Sequence, residues 1–178
     1  MTIKIVSREK AGTLNYPLSN MVPCPDSDAL YSGYKQTLSK SKTAMKIISQ
    51  LDTLDNIIGL LISNNAPDCT YTPPSCLKLS DYGFDGGLAI VNPDLKITFS
   101  VGKEYIKLPS EISLVHELGH AFQYLILGNP YKKYLDEWTI GVDAWNKVSM
   151  SVENPNVKEH EAPVCKELKL PYWRVGYA

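Results

Sequence analysis

His116-Glu117-Leu118-Gly119-His120 sets two imidazoles four residues apart, with a carboxylate beside the first. On a helix that spacing brings both rings to one face, about one turn apart. Two imidazole nitrogens so arranged suit one Zn²⁺ at roughly 2.0–2.1 Å. The carboxylate then reaches a water activated by the metal and takes its proton. The chemistry implied is hydrolysis of an amide, with His116 and His120 as ligands and Glu117 as general base. The bland alternative is a structural helix carrying two histidines. Buried, unpaired imidazoles side by side are costly unless something binds them, which favours the metal.

The flanking residues predict the helix that the chemistry needs. Ser110 follows Pro109 and is read as the N-cap, with Glu111 near the positive end of the helix dipole. Ile112, Val115, Leu118, Phe122 and Leu125 recur at helical spacing and form an apolar face. Gly128-Asn129-Pro130 reads as the stop.

Catalytic zinc usually takes three protein ligands and a water. The three-histidine extension of the motif would need Gly at position 123 and His at 126, where Gln123 and Ile126 stand. The one remaining histidine is His160, and the downstream carboxylates are Asp136, Glu137, Asp143, Glu153, Glu159 and Glu161. Glu161 precedes an apolar-periodic segment with Val164 and Leu168 that can dock across the zinc helix. Pro163 is tolerated only in a first turn, so it places Glu161 at or just before a helix start. Spacing alone puts Glu161 slightly ahead of Glu137, and both stay open. A Glu137 that is not a ligand would suit as the hydrogen-bond acceptor that metal-binding histidines need.

The rest of the chain bounds the answer. Its 178 residues fit one domain, and a net charge of −1 with no basic stripe argues against nucleic acid or anionic membranes as partners. The N-terminus lacks the charged-then-apolar layout of a secretory leader, and no run approaches transmembrane length. Cys24, Cys69, Cys76 and Cys165 form no CxxC pair. A Cys69–Cys76 bridge and free thiols are equally compatible with their spacing. Residues 1–28, rich in turn formers, read as an extended lead-in, and residues 29–178 as the catalytic domain. Residues 29–64 read as two or three helices, and 65–76 as a loop. Residues 77–79, 88–92 and 95–101 read as short strands, the last two a hairpin that could hold an extended peptide. Residues 134–146 read as a helix, and the last thirty residues as short segments. The class is α+β: a zincin-like domain with the HExxH helix packed on a small antiparallel sheet and a helical N-terminal half.

From about Gly86 to Tyr177 the chain resembles the NleD-like effector zinc metallopeptidases, which bacterial type III secretion delivers into host cells. The resemblance is carried by Asn92-Pro93, by LPSEISLVHELGHA, by DEWTIGV, and by the closing ELKLPYWRVGY. The last looks like the family's Glu-Leu-Gly-Leu-Pro followed by Arg-x-x-Tyr. The resemblance implies His116 and His120 as zinc ligands, Glu117 as general base and Glu161 as third ligand. It aligns Arg174 and Tyr177 with an Arg-x-x-Tyr pair suited to stabilising an oxyanion. Two positions depart: the family has Asn after the last-segment glutamate where Ala162 stands, and Gly where Lys169 stands. It further implies a secreted virulence protein or toxin that cleaves a host protein in the host cytoplasm, with Zn²⁺ as cofactor; a monomer is expected, and the oligomeric state stays open. Two other readings are compatible with the residues. One is a housekeeping metallopeptidase that cleaves a regulator, and the other is a zinc-stabilised binding module without catalysis.

Overall fold

The computed structural model describes residues 2–138 and 149–176. In chain order its elements are β1 (Ile3–Ile5), α1 (Arg8–Gly12), α2 (Ser27–Leu38), α3 (Lys42–Asp52), β2 (Ile58–Ile62), β3 (Thr70–Thr72), β4 (Leu88–Val91), β5 (Thr98–Val101), β6 (Glu104–Lys107), α4 (Ser110–Phe122) and α5 (Tyr131–Trp138). A final helical run, α6, spans residues 149–167. It is wound from Ser149–Glu153 (π), Asn154–Asn156 (α), Val157–Glu161 (π) and Ala162–Glu167 (α). The class is mixed α+β, as expected.

The sheet has the order β1-β2-β4-β3. β2 runs parallel to both β1 and β4, and β3 closes the edge antiparallel to β4. The expected antiparallel sheet is therefore corrected to a mixed one. The cause is β2, whose residues Ile58–Ile62 were read as the end of a helix. Five apolar residues in a row carry no period that separates helix from strand. Every residue of β2 and of β4 is buried, the mark of strands covered on both faces. Two further expectations shift. Residues 77–79 lie in the 3-10 segment Cys76–Tyr82, not in a strand. β5 pairs with β6 across a short turn, not with β4. The lead-in is folded: β1 joins the sheet, and Val6, Leu14, Leu18 and Met21 are buried.

α4 lies on this sheet, packed against β3, β4, α2, α3 and α6. Every residue from Ile112 to Phe122 is buried. Each large apolar side chain so buried stabilises the fold by about 1.5–3 kcal/mol. Ser110 is the first helical residue rather than the cap, and its hydroxyl donates to the Pro93 carbonyl at 2.9 Å. That bond ties the start of α4 to the end of β4. After one π turn the helix stops at Gly128, whose φ of 68° suits a residue without Cβ. α6 is anchored at its far end by Glu167. Its carboxylate accepts from Ser41 Oγ, Thr43 N and Thr43 Oγ1 at the start of α3. A carboxylate at a helix N-terminus meets unpaired N–H groups and the positive end of the dipole.

Candidate metal centre

α4 presents Ser113, His116, Glu117 and His120 on one stripe, and all four line a cavity of ≈ 500 Å³. α6 faces them with Glu153, Asn156, Val157, His160, Glu161 and Val164, all buried and spaced as one helical face. Two prolines, Pro155 and Pro163, lie within α6. A proline lacks an N–H and its ring crowds the carbonyl one turn back. Each is preceded by a π segment, whose wider turn relieves that crowding. Glu153 and Glu161 are the last residues of those two π segments.

Glu153 and the two histidines converge. Glu153 Oε2 is 3.1 Å from His116 Nε2, and Oε1 is 3.2 Å from His120 Nε2. The two Nε2 atoms are 3.1 Å apart. The outer nitrogens are held separately. His116 Nδ1 lies 2.9 Å from Glu161 Oε2. His120 Nδ1 lies 2.9 Å from Gln123 Oε1, and the Gln123 amide donates to the Val152 carbonyl at 3.0 Å. With that amide oxygen and that carboxylate as acceptors, both Nδ1 atoms carry hydrogen. The Nε2 lone pair of His120 is thereby turned toward the same point as the Glu153 carboxylate.

Ligand atoms on a tetrahedral metal with bonds of about 2.1 Å are separated by about 3.4 Å. The three contacts fall close to that spacing, and the three residues form a buried group of potential metal ligands. Two neutral-capable imidazoles and one carboxylate, each imidazole fixed through its second nitrogen, fit a divalent transition metal with a fourth position left open. Cys69 lines the same cavity but burial pushes its thiol up to about 11, so it is protonated and a poor ligand.

Gly119 explains the close approach of the two helices. A Cβ there would stand 2.0 Å from Asn156 Oδ1 and 2.9 Å from His160 Nδ1. Asn156 uses that space to donate to the His116 carbonyl at 2.8 Å and to accept from His160 Nδ1 at 2.7 Å. Arg174, arriving on the C-terminal segment, binds Glu161 through Nε at 2.7 Å and also through Nη2. Glu161 is fully buried, so this guanidinium supplies the charge that keeps it ionised.

The electrostatics follow from this packing. Burial pushes Glu117 up to about 7, against the pull of both histidines. Burial would lower His116, but the Glu153 and Glu161 carboxylates outweigh it and hold the ring up to about 10. Burial would raise Glu153 and Glu161. The two histidines hold Glu153 far below the carboxylate range, and Arg174 with His116 lowers Glu161. Both shifts favour a proton held on the His116 ring beside an ionised Glu153. Metal binding displaces such a proton.

His116, Glu117 and His120 are brought together as the motif predicts. Glu161 is not at the convergence point. It sits behind His116, on Nδ1, and Glu153 occupies the position expected for it. Glu153 stands among the downstream carboxylates that the sequence offers as candidate ligands. Arg174 lines the cavity and is engaged with Glu161. Tyr177 lies outside the described residues, and so does the side chain of Glu137. Cys24, Cys69, Cys76 and Cys165 are all free thiols.

Comparison with protein-family models, with curated proteins and with solved structures returns no match.

Proposed function

We propose that this protein is a zinc-dependent endopeptidase whose metal ligands are His116, His120 and Glu153. The observation that carries the reading is the convergence of two Nε2 atoms and one carboxylate within 3.2 Å, each imidazole fixed from behind. It differs from the expectation in one ligand: Glu153 replaces Glu161.

Bound zinc supplies a Lewis acid that polarises a scissile carbonyl and brings the pKa of a water towards about 7. Glu117 lies between the two histidines in sequence and lines the cavity, so its carboxylate takes the proton of the attacking water. It then delivers that proton to the leaving amine. Glu161 orients His116 and raises its basicity, and Arg174 fixes Glu161. Arg174 therefore acts first as a positioning residue, and Tyr177 keeps the oxyanion role that the resemblance implies. The cavity supports a peptide substrate. Asp68, Cys69 and Thr70 line it where β3 begins, β3 being the last strand of the sheet among the described residues, and Lys96, Ile97 and Thr98 line it as well. An extended chain laid along β3 gains main-chain hydrogen bonds there. A host protein as substrate, action in the host cytoplasm and a role in virulence rest on the resemblance alone.

The test is a host-cell lysate incubated with the zinc-loaded protein, with and without chelator, followed by a search for new N-termini. The expected result is new termini that vanish with chelator and fall at least about 100-fold with Glu117→Ala, which retains zinc. Bound zinc with no cleavage of any protein would establish the binding-module reading instead.

A further inference from the structure

His160 is the histidine that the peptidase reading leaves without a task. Its ring is 6% exposed and lines a second cavity, of ≈ 460 Å³, between α3, the end of α4 and α6. The neighbouring carboxamide fixes the chemistry of the ring. Asn156 donates through Nδ2 to the His116 carbonyl, which turns its Oδ1 toward His160 Nδ1 at 2.7 Å. Nδ1 therefore carries the hydrogen, and Nε2 of the neutral ring is a bare acceptor. Burial keeps the ring neutral. Among the described residues Nε2 has no hydrogen-bond partner, and it is not sealed from solvent, so it opens into the cavity. Toward α4 the ring is packing, and toward the cavity it is an acceptor without a donor. An acceptor left so at this depth calls for an explanation, and a donor that arrives from solution is one.

The other lining residues are sorted by depth. Ile47 and Phe122 are buried beside His160, whereas Lys46 and Glu159 are exposed at the mouth. Lys46 stands close enough for its charge to act on the imidazole. Neither charge is in an ion pair among the described residues. We propose that this cavity binds a free aromatic α-amino acid whose ring carries a neutral N–H or O–H donor, an indole or a phenol. The site does not depend on the peptidase reading. A carboxylate at the floor would set lone pair against lone pair, and an ammonium would lose its water among Ile47 and Phe122. A plain hydrocarbon ring would seal Nε2 in unpaired. A flat ring meets the apolar walls at low entropic cost, packs on the Phe122 ring and carries one donor at its edge. At the mouth, the α-carboxylate and α-ammonium of a free amino acid meet Lys46 and Glu159. A singly charged ligand is repelled by one of the two. The cavity is of the size that small-molecule sites have.

The experiment is an NMR titration of the full chain, labelled with ¹⁵N in its histidine rings, with chelator present so that no metal contributes. The probes are tryptophan, 1-methyltryptophan, which lacks the ring N–H, and N-acetyltryptophan amide, which lacks both charges. Tryptophan is expected to move the His160 Nε2 resonance upfield, the signature of a lone pair that gains a hydrogen bond, and to leave His116 and His120 in place. 1-Methyltryptophan is expected to bind at least about 10-fold more weakly, because a site built around a hydrogen bond rejects the analogue that lacks it. Tyrosine against phenylalanine repeats that comparison without added bulk. Lys46→Met and Glu159→Gln, both exposed, are each expected to weaken tryptophan about 3-fold. An unmoved His160 Nε2, or equal binding of tryptophan and 1-methyltryptophan, would overturn the site. A blocked amide that binds as tightly as tryptophan would overturn the free amino acid as its ligand.

Discussion

The three histidines of this chain line two cavities of similar size, and the contrast between them shows what makes a buried imidazole reactive. His116 and His120 face a cavity of ≈ 500 Å³, and His160 lines one of ≈ 460 Å³ with Lys46, Phe122 and Glu159. All three rings are buried. In the first cavity, Glu153 meets both rings on their inner nitrogens and Glu161 meets the outer nitrogen of His116, which is held up to about 10. In the second, His160 gives its Nδ1–H to a carboxamide, and burial, reinforced by the charges of the other two histidines, brings it down to about 4. A buried imidazole beside neutral partners stays neutral and acts as packing. The same group between acids becomes a site for a proton or a metal.

The contrast depends on Gly119, which lets Asn156 reach both His116 and His160. Gly119→Ala is the change of largest expected effect, because the Cβ would fall inside Asn156 Oδ1. The loss of fold stability is expected to be about 3 kcal/mol or more, read by denaturant unfolding. A loss well under about 1 kcal/mol would show that α4 and α6 are not in the register described.

The next change separates the cavities. Glu161→Gln keeps the shape behind His116 and removes its charge. Zinc affinity, measured by competition with a chelator, is expected to drop about 10–100-fold. His160→Gln is expected to leave it within about 2-fold, since among the described residues His160 bonds to Asn156 and packs on Phe122 rather than on a proposed ligand. Equal losses in the two variants would erase the distinction drawn here.

The smallest effect is on acid stability, measured with chelator present. The folded pKa of His160 lies below its unfolded value, so the unfolded chain gains the proton first as pH falls. Stability is therefore lost from about pH 6.5 downward and levels off near about pH 4. Between about pH 7.5 and about pH 5.5 this contributes a loss of about 1 kcal/mol, which His160→Gln removes. A variant whose stability falls with pH as steeply as the unaltered protein would show that His160 is not the group titrating.

α4 was legible because its signals lie close together: motif, apolar period and stop fall within about five turns of one helix. The acids opposite were harder to find. Pro163 read as a helix start, which cut Glu161 off from the turns before it and hid the single face running from Glu153 to Val164. π turns before each proline remove the clash that the reading relied on, and no one-residue rule announces them. The sheet failed for another reason. β2 and β4 are buried on both sides, so their side chains need no alternation, and the run Ile58–Ile62 has no period that sets it apart from the helix before it. Gly119 in the motif was visible, but its use emerged only when Asn156 was found against it.

The central claim is that one divalent metal sits between His116, His120 and Glu153. Anomalous diffraction at the zinc edge, from crystals grown with zinc, tests it directly. The account predicts one zinc within about 2.0–2.2 Å of both Nε2 atoms and of a Glu153 oxygen, with Glu161 on His116 Nδ1. Zinc bound by Glu161 in place of Glu153, or no zinc between the two rings, would contradict it.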